Sequence, residues 1–180
     1  MWILIVLAIV GVGVMMYNSL VKLRTQVDAA WADVDVQLKR RYDLIPNLLE
    51  TVKGYAGHEK ETLEAVVQAR SAAMGAQSPG AKAQAEGMLA GALKSLFALS
   101  EAYPDLKAQS SFQELQTSLG EMETVVARSR QYYNAVVRDY NTKTQQVPTN
   151  IIANAFRFVE REFFEVEDDA AREAPKVSFD

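Results

Sequence analysis

The chain has no cysteine and a single histidine, His58, in 180 residues. Disulfides, thiolate metal sites, thiol nucleophiles and any site needing two imidazoles are excluded by that count alone. Proline and glycine are scarce, with five and nine residues, and they cluster rather than recur. A many-turned β fold needs them more often, so long helices are the expectation. A basic stretch is also missing. The net charge is −4; residues Glu160 to Asp180 hold eight acids and three bases, against 15 acids and 16 bases in the rest. The acidity therefore belongs to the C-terminal tail, and nucleic-acid binding has no electrostatic footprint. No glycine-rich phosphate loop is present, and no serine sits in a nucleophile-elbow context. "HEKET" (58–62) opens like a zinc-protease helix, but the second histidine would have to stand where Thr62 is. A di-iron bundle needs Glu-x-x-His on two helices, which one histidine cannot supply. His58 is instead expected to help start a helix, with Glu59 and Glu61 suited to its first turn. No metal, cofactor or small-molecule substrate is implied.

What the sequence does have is one long uncharged run. "MWILIVLAIVGVGVMMY" opens the chain, and no charged side chain occurs before Lys22. At 1.5 Å per residue, 17 to 21 helical residues span roughly 25–31 Å, about a hydrocarbon core. Trp2 and Tyr17 stand near its ends, as interfacial aromatics do. Trp2, Ile3, Leu4, Leu7, Val10, Val14 and Tyr17 are the expected lipid-facing or interfacial residues. A cleaved signal peptide would want a basic start and a small-residue cleavage site. "MWIL" and "VMMYNSL" supply neither. Residues 1–21 are thus expected to be a transmembrane anchor, with the lipid bilayer as partner. Lys22, Arg24, Lys39, Arg40 and Arg41 follow the run, which by the positive-inside rule would keep the remainder in the cytoplasm.

Beyond the anchor, Val27, Trp31, Val34, Leu38, Tyr42, Ile45, Leu49 and Val52 recur at steps of three and four, one face of a helix. No proline or glycine lies between Val14 and Ile45, so the anchor and this helix are expected to form one rod. Pro46 must then either kink it or open a new helix capped by Asp43; both make a joint, with the Tyr42 carbonyl released from its helical bond. A second helix is expected from about Glu59, and a loop at "GAQSPG" (75–80). A third runs from Ala81 to Tyr103, on which Ala83, Gly87 and Gly91 form a smooth strip for close backbone approach. A fourth carries Phe112, Leu115, Leu119, Met122, Val126, Ser129, Tyr133, Val136 and Tyr140, a heptad seam. Ile151 to Phe164 reads as a short amphipathic helix docked on the bundle, with Ile151, Ile152, Ala155, Phe156, Val159 and Phe163 inward; the acidic tail reads as disordered. The expected fold is all-α: an N-terminal transmembrane helix and an antiparallel bundle of about four helices, two long and two shorter. The expected division is anchor 1–21, bundle 22–165 and tail 166–180. Lys39, Arg40, Arg41, Tyr42, Asp43 and His58 are the candidate partner surface, against the plainer reading of a solvated face paired locally to Asp35 and Asp43.

Three stretches carry a family resemblance: "YNSLVKLRTQVDAAWADVDVQLKRRYDLIPNLLETVKGYAGHEKETLEAVVQAR", "LFALSEAYPDLKAQSSFQELQTSL" and "YYNAVVRDYNTKTQQVPTNIIANAFRF". In order, they resemble the bacterial LemA family from Tyr17 to about Glu165. Val147-Pro148 departs from the family's usual Phe-Pro, and Val159-Glu160 from a frequent Lys-Pro. The resemblance implies one N-terminal membrane segment, a soluble bundle of long antiparallel helices, no catalytic residues and a bacterial inner-membrane location. Some relatives carry a lipoprotein cysteine before the Tyr-Asn pair; Met16 stands there in this chain, so lipidation does not transfer. Their extracytoplasmic topology opposes the positive-inside reading, and the outward-facing domain is the expected one. The expected role is a non-enzymatic, membrane-tethered scaffold that associates with itself or another membrane protein. The alternatives are a carboxylate-only metal-binding or enzymatic bundle, or a membrane-remodelling protein.

Overall fold

A computed structural model describes residues 1–165; the acidic tail expected at 166–180 lies outside the described residues. Six helices follow one another: α1 (Trp2–Ala56), α2 (Lys60–Gly75), α3 (Pro79–Ser100), α4 (Pro104–Lys107), α5 (Ser110–Gln145) and α6 (Thr149–Ala155), with no strand among the described residues. The all-α expectation holds, and the expected anchor and first bundle helix are one unbroken element. Its 55 residues make a rod about 82 Å long.

Pro46 lies inside α1, which neither stops nor restarts at Asp43. The Tyr42 carbonyl that Pro46 cannot satisfy accepts instead from Arg70 Nε on α2, at 2.9 Å. The guanidinium replaces the missing amide, so the freed backbone group is not left bare.

α5 lies along α1 and runs antiparallel to it. Trp31 packs on Tyr133 with centroids 5.2 Å apart, Arg41 meets Glu123, and Tyr17 meets Phe156 just past α6. Their shared core is a heptad on each helix. On α5, Phe112, Leu119, Val126, Tyr133 and Tyr140 are all buried. On α1, Leu20, Val27, Val34 and Leu48 are buried at the same spacing, joined by Leu38, Ile45 and Val52. α2 and α3 form a hairpin packed beside this pair through Leu63, Val66, Leu89, Leu93 and Leu96. Ser78 caps α3, its hydroxyl accepting from the Ala81 amide at 3.2 Å, with Pro79 in the first turn. Only one residue of the small-residue strip meets a partner: Ala83 is buried in the core, whereas Gly87 and Gly91 are exposed, and a Cβ on Gly91 would touch nothing within 4 Å. His58 does not cap α2; Glu59 is the N-cap residue, and its carboxylate accepts from Tyr103 Oη at 3.0 Å.

The end of the described chain departs most from expectation. The helix expected from Ile151 to Phe164 stops at Ala155. Phe158 N–H donates to the Ala153 carbonyl and Arg157 N–H to that of Asn154. This is a Schellman closure whose left-handed position, φ 56°, is held by Arg157 instead of the usual glycine. Residues 158–165 then run as an extended strap along α5. Ala153, Phe158 and Phe164 are buried and Ile152 and Phe163 pack partly against the core, whereas Ala155 is exposed and Ile151, Phe156 and Val159 are 65%, 59% and 69% exposed.

Candidate functional site

Two regions stand out: a charged cluster between α1, α3 and α5, and the apolar N-terminal end of α1, where α6 and the strap meet it.

The heptad from Leu20 to Leu48 on α1 passes through position 41, and Arg41 is 6% exposed there. Its guanidinium donates to Glu86 of α3 at 3.0 Å and to Glu123 of α5 at 2.9 Å. Glu86 is itself buried and also accepts from the Tyr42 hydroxyl. Burial pushes the Glu86 carboxyl above its ordinary range, while the bonds from Tyr42 and Arg41 pull the other way. Burial, reinforced by Glu86, drives the Tyr42 phenol strongly upward, so it stays a donor. Arg130 completes the cluster over the Phe164 ring, 4.7 Å from its centroid. Its Nε is buried without a partner, and burial lowers its pKa. Arg41, Tyr42, Glu86 and Glu123 thus tie three helices together, with Arg41 paired to the buried Glu86 and the exposed Glu123. Among the described residues no group of three or more His, Cys, Asp or Glu side chains is placed to hold a metal.

The six residues of the candidate partner surface are therefore not on one face. Arg41 and Tyr42 point inward, while Lys39, Arg40, Asp43 and His58 are exposed. His58 follows the end of α1, fifteen residues beyond Asp43 and about 22 Å along the axis. The expected local pairing is different too: Asp35 bonds Lys82 of α3 at 2.6 Å, and Arg40 contacts Gln37 at 3.5 Å.

At the other end of α1, Trp2, Ile3, Leu4, Leu7, Val10 and Val14 are more than half exposed. Tyr17 is the first residue of the expected anchor set to find aromatic partners. Its ring lies 4.9 Å from Phe156 and 5.5 Å from Phe158, both edge-on. Arg24 stacks 5.0 Å from the Phe158 ring centroid. α1 is long and apolar enough to cross a membrane, with its apolar stretch left almost wholly unburied by the rest of the chain.

The strap is held by a ladder that pattern reading missed. Asn141 Nδ2 donates to the Arg161 carbonyl at 2.9 Å, and its Oδ1 accepts from the Arg161 amide at 2.8 Å. Asn134 does the same to Phe164, at 3.0 and 2.9 Å. The Tyr133 and Tyr140 hydroxyls donate to the carbonyls of Glu162 and Val159; burial raises both phenols, Tyr133 to about 12. Arg161 closes back onto α1 through Asp28 at 2.8 Å. The signal lay in "YYNAVVRDYN", where Tyr-Asn repeats seven residues apart. Side chains one heptad apart share a face, so the repeat places two amides and two hydroxyls in register.

The LemA family profile matches residues 30–179. Magnetosome protein MamQ 2 of Paramagnetospirillum magneticum is 25% identical over 189 aligned positions, covering 91% of this chain and 70% of that protein. Protein LemA of Metamycoplasma hominis is 26% identical over 140 positions, covering 76% and 63%. Magnetosome protein MamQ of Magnetospirillum gryphiswaldense is 23% identical over 188 positions, covering 90% and 69%. With a family profile spanning most of its length and the long antiparallel helices on which the three quoted stretches lie, the chain belongs to the LemA family.

Proposed function

We propose that this protein is a non-enzymatic, membrane-tethered scaffold. Residues 1–21 cross a bacterial inner membrane once, and residues 22–165 stand off the surface as a stiff post that associates with a second copy or another membrane protein. The observation that carries this reading is the continuity of α1: one helix runs from an unpartnered apolar stretch straight into the bundle core. A hinge would let a tethered domain tumble, whereas an unbroken helix transmits position and direction from bilayer to bundle. The buried Arg41–Glu86 pair, extended to the exposed Glu123, supports a structural role because it links helices to one another. None of the relatives' names specifies a reaction. The family resemblance favours a bundle outside the cytoplasm.

Extraction tests the tether. The full-length protein should remain with the membrane after high-salt and alkaline washes; release of the intact chain by alkali would overturn the spanning reading. The absence of native cysteine makes sidedness directly measurable. Single cysteines at Gln77 and Ser110 should react with an impermeant thiol reagent in intact cells, and protection of both would place the bundle inside.

A further inference from the structure

We infer that α6 and the turn leading into it are a second membrane contact, embedded in the same leaflet interface that α1 enters. The inference rests on the spanning reading of α1 and adds to it an occupant for the exposed apolar elbow: lipid acyl chains.

Three observations converge. The first is depth. Beyond the uncharged run, residues 22–56 of α1 match the 36-residue α5 in length, so the bundle ends close to where the anchor begins. α6 continues past that level. The Ile152 side chain reaches 4.0 Å from where a Cβ on Gly13 would stand. A cleft lined by Val10, Gly13, Val14, Tyr17, Ile152 and Phe156 joins the two helices, with no polar surface in its lining. Gly13 lies nine residues before Lys22, about 13 Å along the axis toward the apolar end. A segment packed there shares the depth of the anchor.

The second observation is charge. No charged side chain occurs between Lys143 and Arg157. The turn and all of α6 are therefore free of the charge that would oppose entry into lipid. Cations flank the run at Lys143 and Arg157, and Lys22 and Arg24 follow the anchor. Such long basic side chains reach phosphates while their neighbours sit deeper.

The third is exposure. Val147, Ile151 and Phe156 are 80%, 65% and 59% exposed, while Ile152 and Ala153 of the same turn pack inward. The elbow thus has a bundle-facing side and an apolar outward side, continuous with the bare face of α1. An aqueous surface would leave three large apolar side chains wet beside the anchor; a bilayer interface covers them by the same burial that inserts α1.

The test uses the full-length protein in phosphatidylcholine–phosphatidylglycerol vesicles, with single cysteines carrying an environment-sensitive fluorophore and spin-labelled lipids as depth quenchers. Cysteines replace Ile151, Phe156, Val10 and His58 one at a time. His58, at the far end of α1, reports the aqueous baseline. Circular dichroism on each labelled protein selects those that retain native helicity. The inference expects Ile151 and Phe156 to be quenched by shallow labels, Val10 by deeper ones, and His58 by neither. If Val10 is quenched while Ile151 and Phe156 behave like His58, the elbow is aqueous and the inference falls while the anchor stands. If Val10 is not quenched either, the spanning reading fails and takes the inference with it.

Discussion

At the scale of single residues, Pro46 shows how a local defect is absorbed by tertiary structure. Its ring removes one helical hydrogen bond, yet α1 continues because Arg70 donates to the Tyr42 carbonyl. The two residues should therefore be energetically coupled. Arg70→Ala in the natural sequence leaves a backbone acceptor without its partner and should destabilise by about 1–3 kcal/mol. In a Pro46→Ala background the alanine amide can take that carbonyl, so the same Arg70→Ala change should cost clearly less. Chemical denaturation of the four proteins gives the coupling directly. An Arg70→Ala cost that is identical in both backgrounds would mean that the guanidinium is not standing in for the amide.

At the scale of elements, the α5 heptad carries the pairing with α1. Leu119 is 5% exposed on the seam; Thr117 is exposed, its hydroxyl donating only to the Gln113 carbonyl of its own helix. Leu119→Ala should cost about 2–5 kcal/mol, by lost burial and the cavity left behind. Thr117→Ala should stay within about 0.5 kcal/mol. Equal shifts in thermal midpoint for the two variants would place the seam on another face. The α6-strap segment teaches the opposite lesson. Its apolar spacing suits a helix as far as Phe163, but Arg157 adopts a left-handed conformation and the Tyr-Asn ladder of α5 takes up the backbone of an extended chain. Side-chain amides offering both a donor and an acceptor compete with helical bonding only once α5 is already folded beside them, so a local pattern cannot reveal it.

At the scale of the whole molecule, the Arg41–Glu86–Glu123 cluster fixes how three helices are aligned. A buried charge on a heptad seam tolerates few registers, because any slip leaves it unpaired. The folded protein holds the Glu86 proton to higher pH than the unfolded chain, whose carboxyl titrates near 4.5. The contribution of Glu86 to stability is thus fully present below that value and is lost as pH rises through the raised folded pKa. Glu86→Gln keeps an acceptor for Tyr42 and does not ionise. The variant should therefore gain on the wild type as pH rises from 4 to 7, read as the difference in denaturation midpoints. A gain in the opposite direction would mean that pairing to Arg41 and Tyr42 outweighs burial. Residues 39–43 show why such a cluster escapes a linear reading: "KRRYD" looks like one charged patch, but the helix divides it, sending Arg41 and Tyr42 inward and leaving Lys39, Arg40 and Asp43 outside.

The sequence by itself determined the helical class, the unbroken continuation of the apolar run into the bundle and the apolar seams of the two long helices. Each is a matter of local periodicity or of a missing breaker, and these act within a few residues of chain. It also determined that no cysteine chemistry or two-histidine site exists. Only the tertiary structure decided that Pro46 needs no break, that Arg41 is a core residue, and that residues 158–165 form a strap instead of a helix. In each case the deciding partner, Arg70, Glu86 or Asn141, is 20 or more residues distant in sequence. The free energy of a buried polar group depends on whether such a partner arrives, and its own neighbours do not encode that.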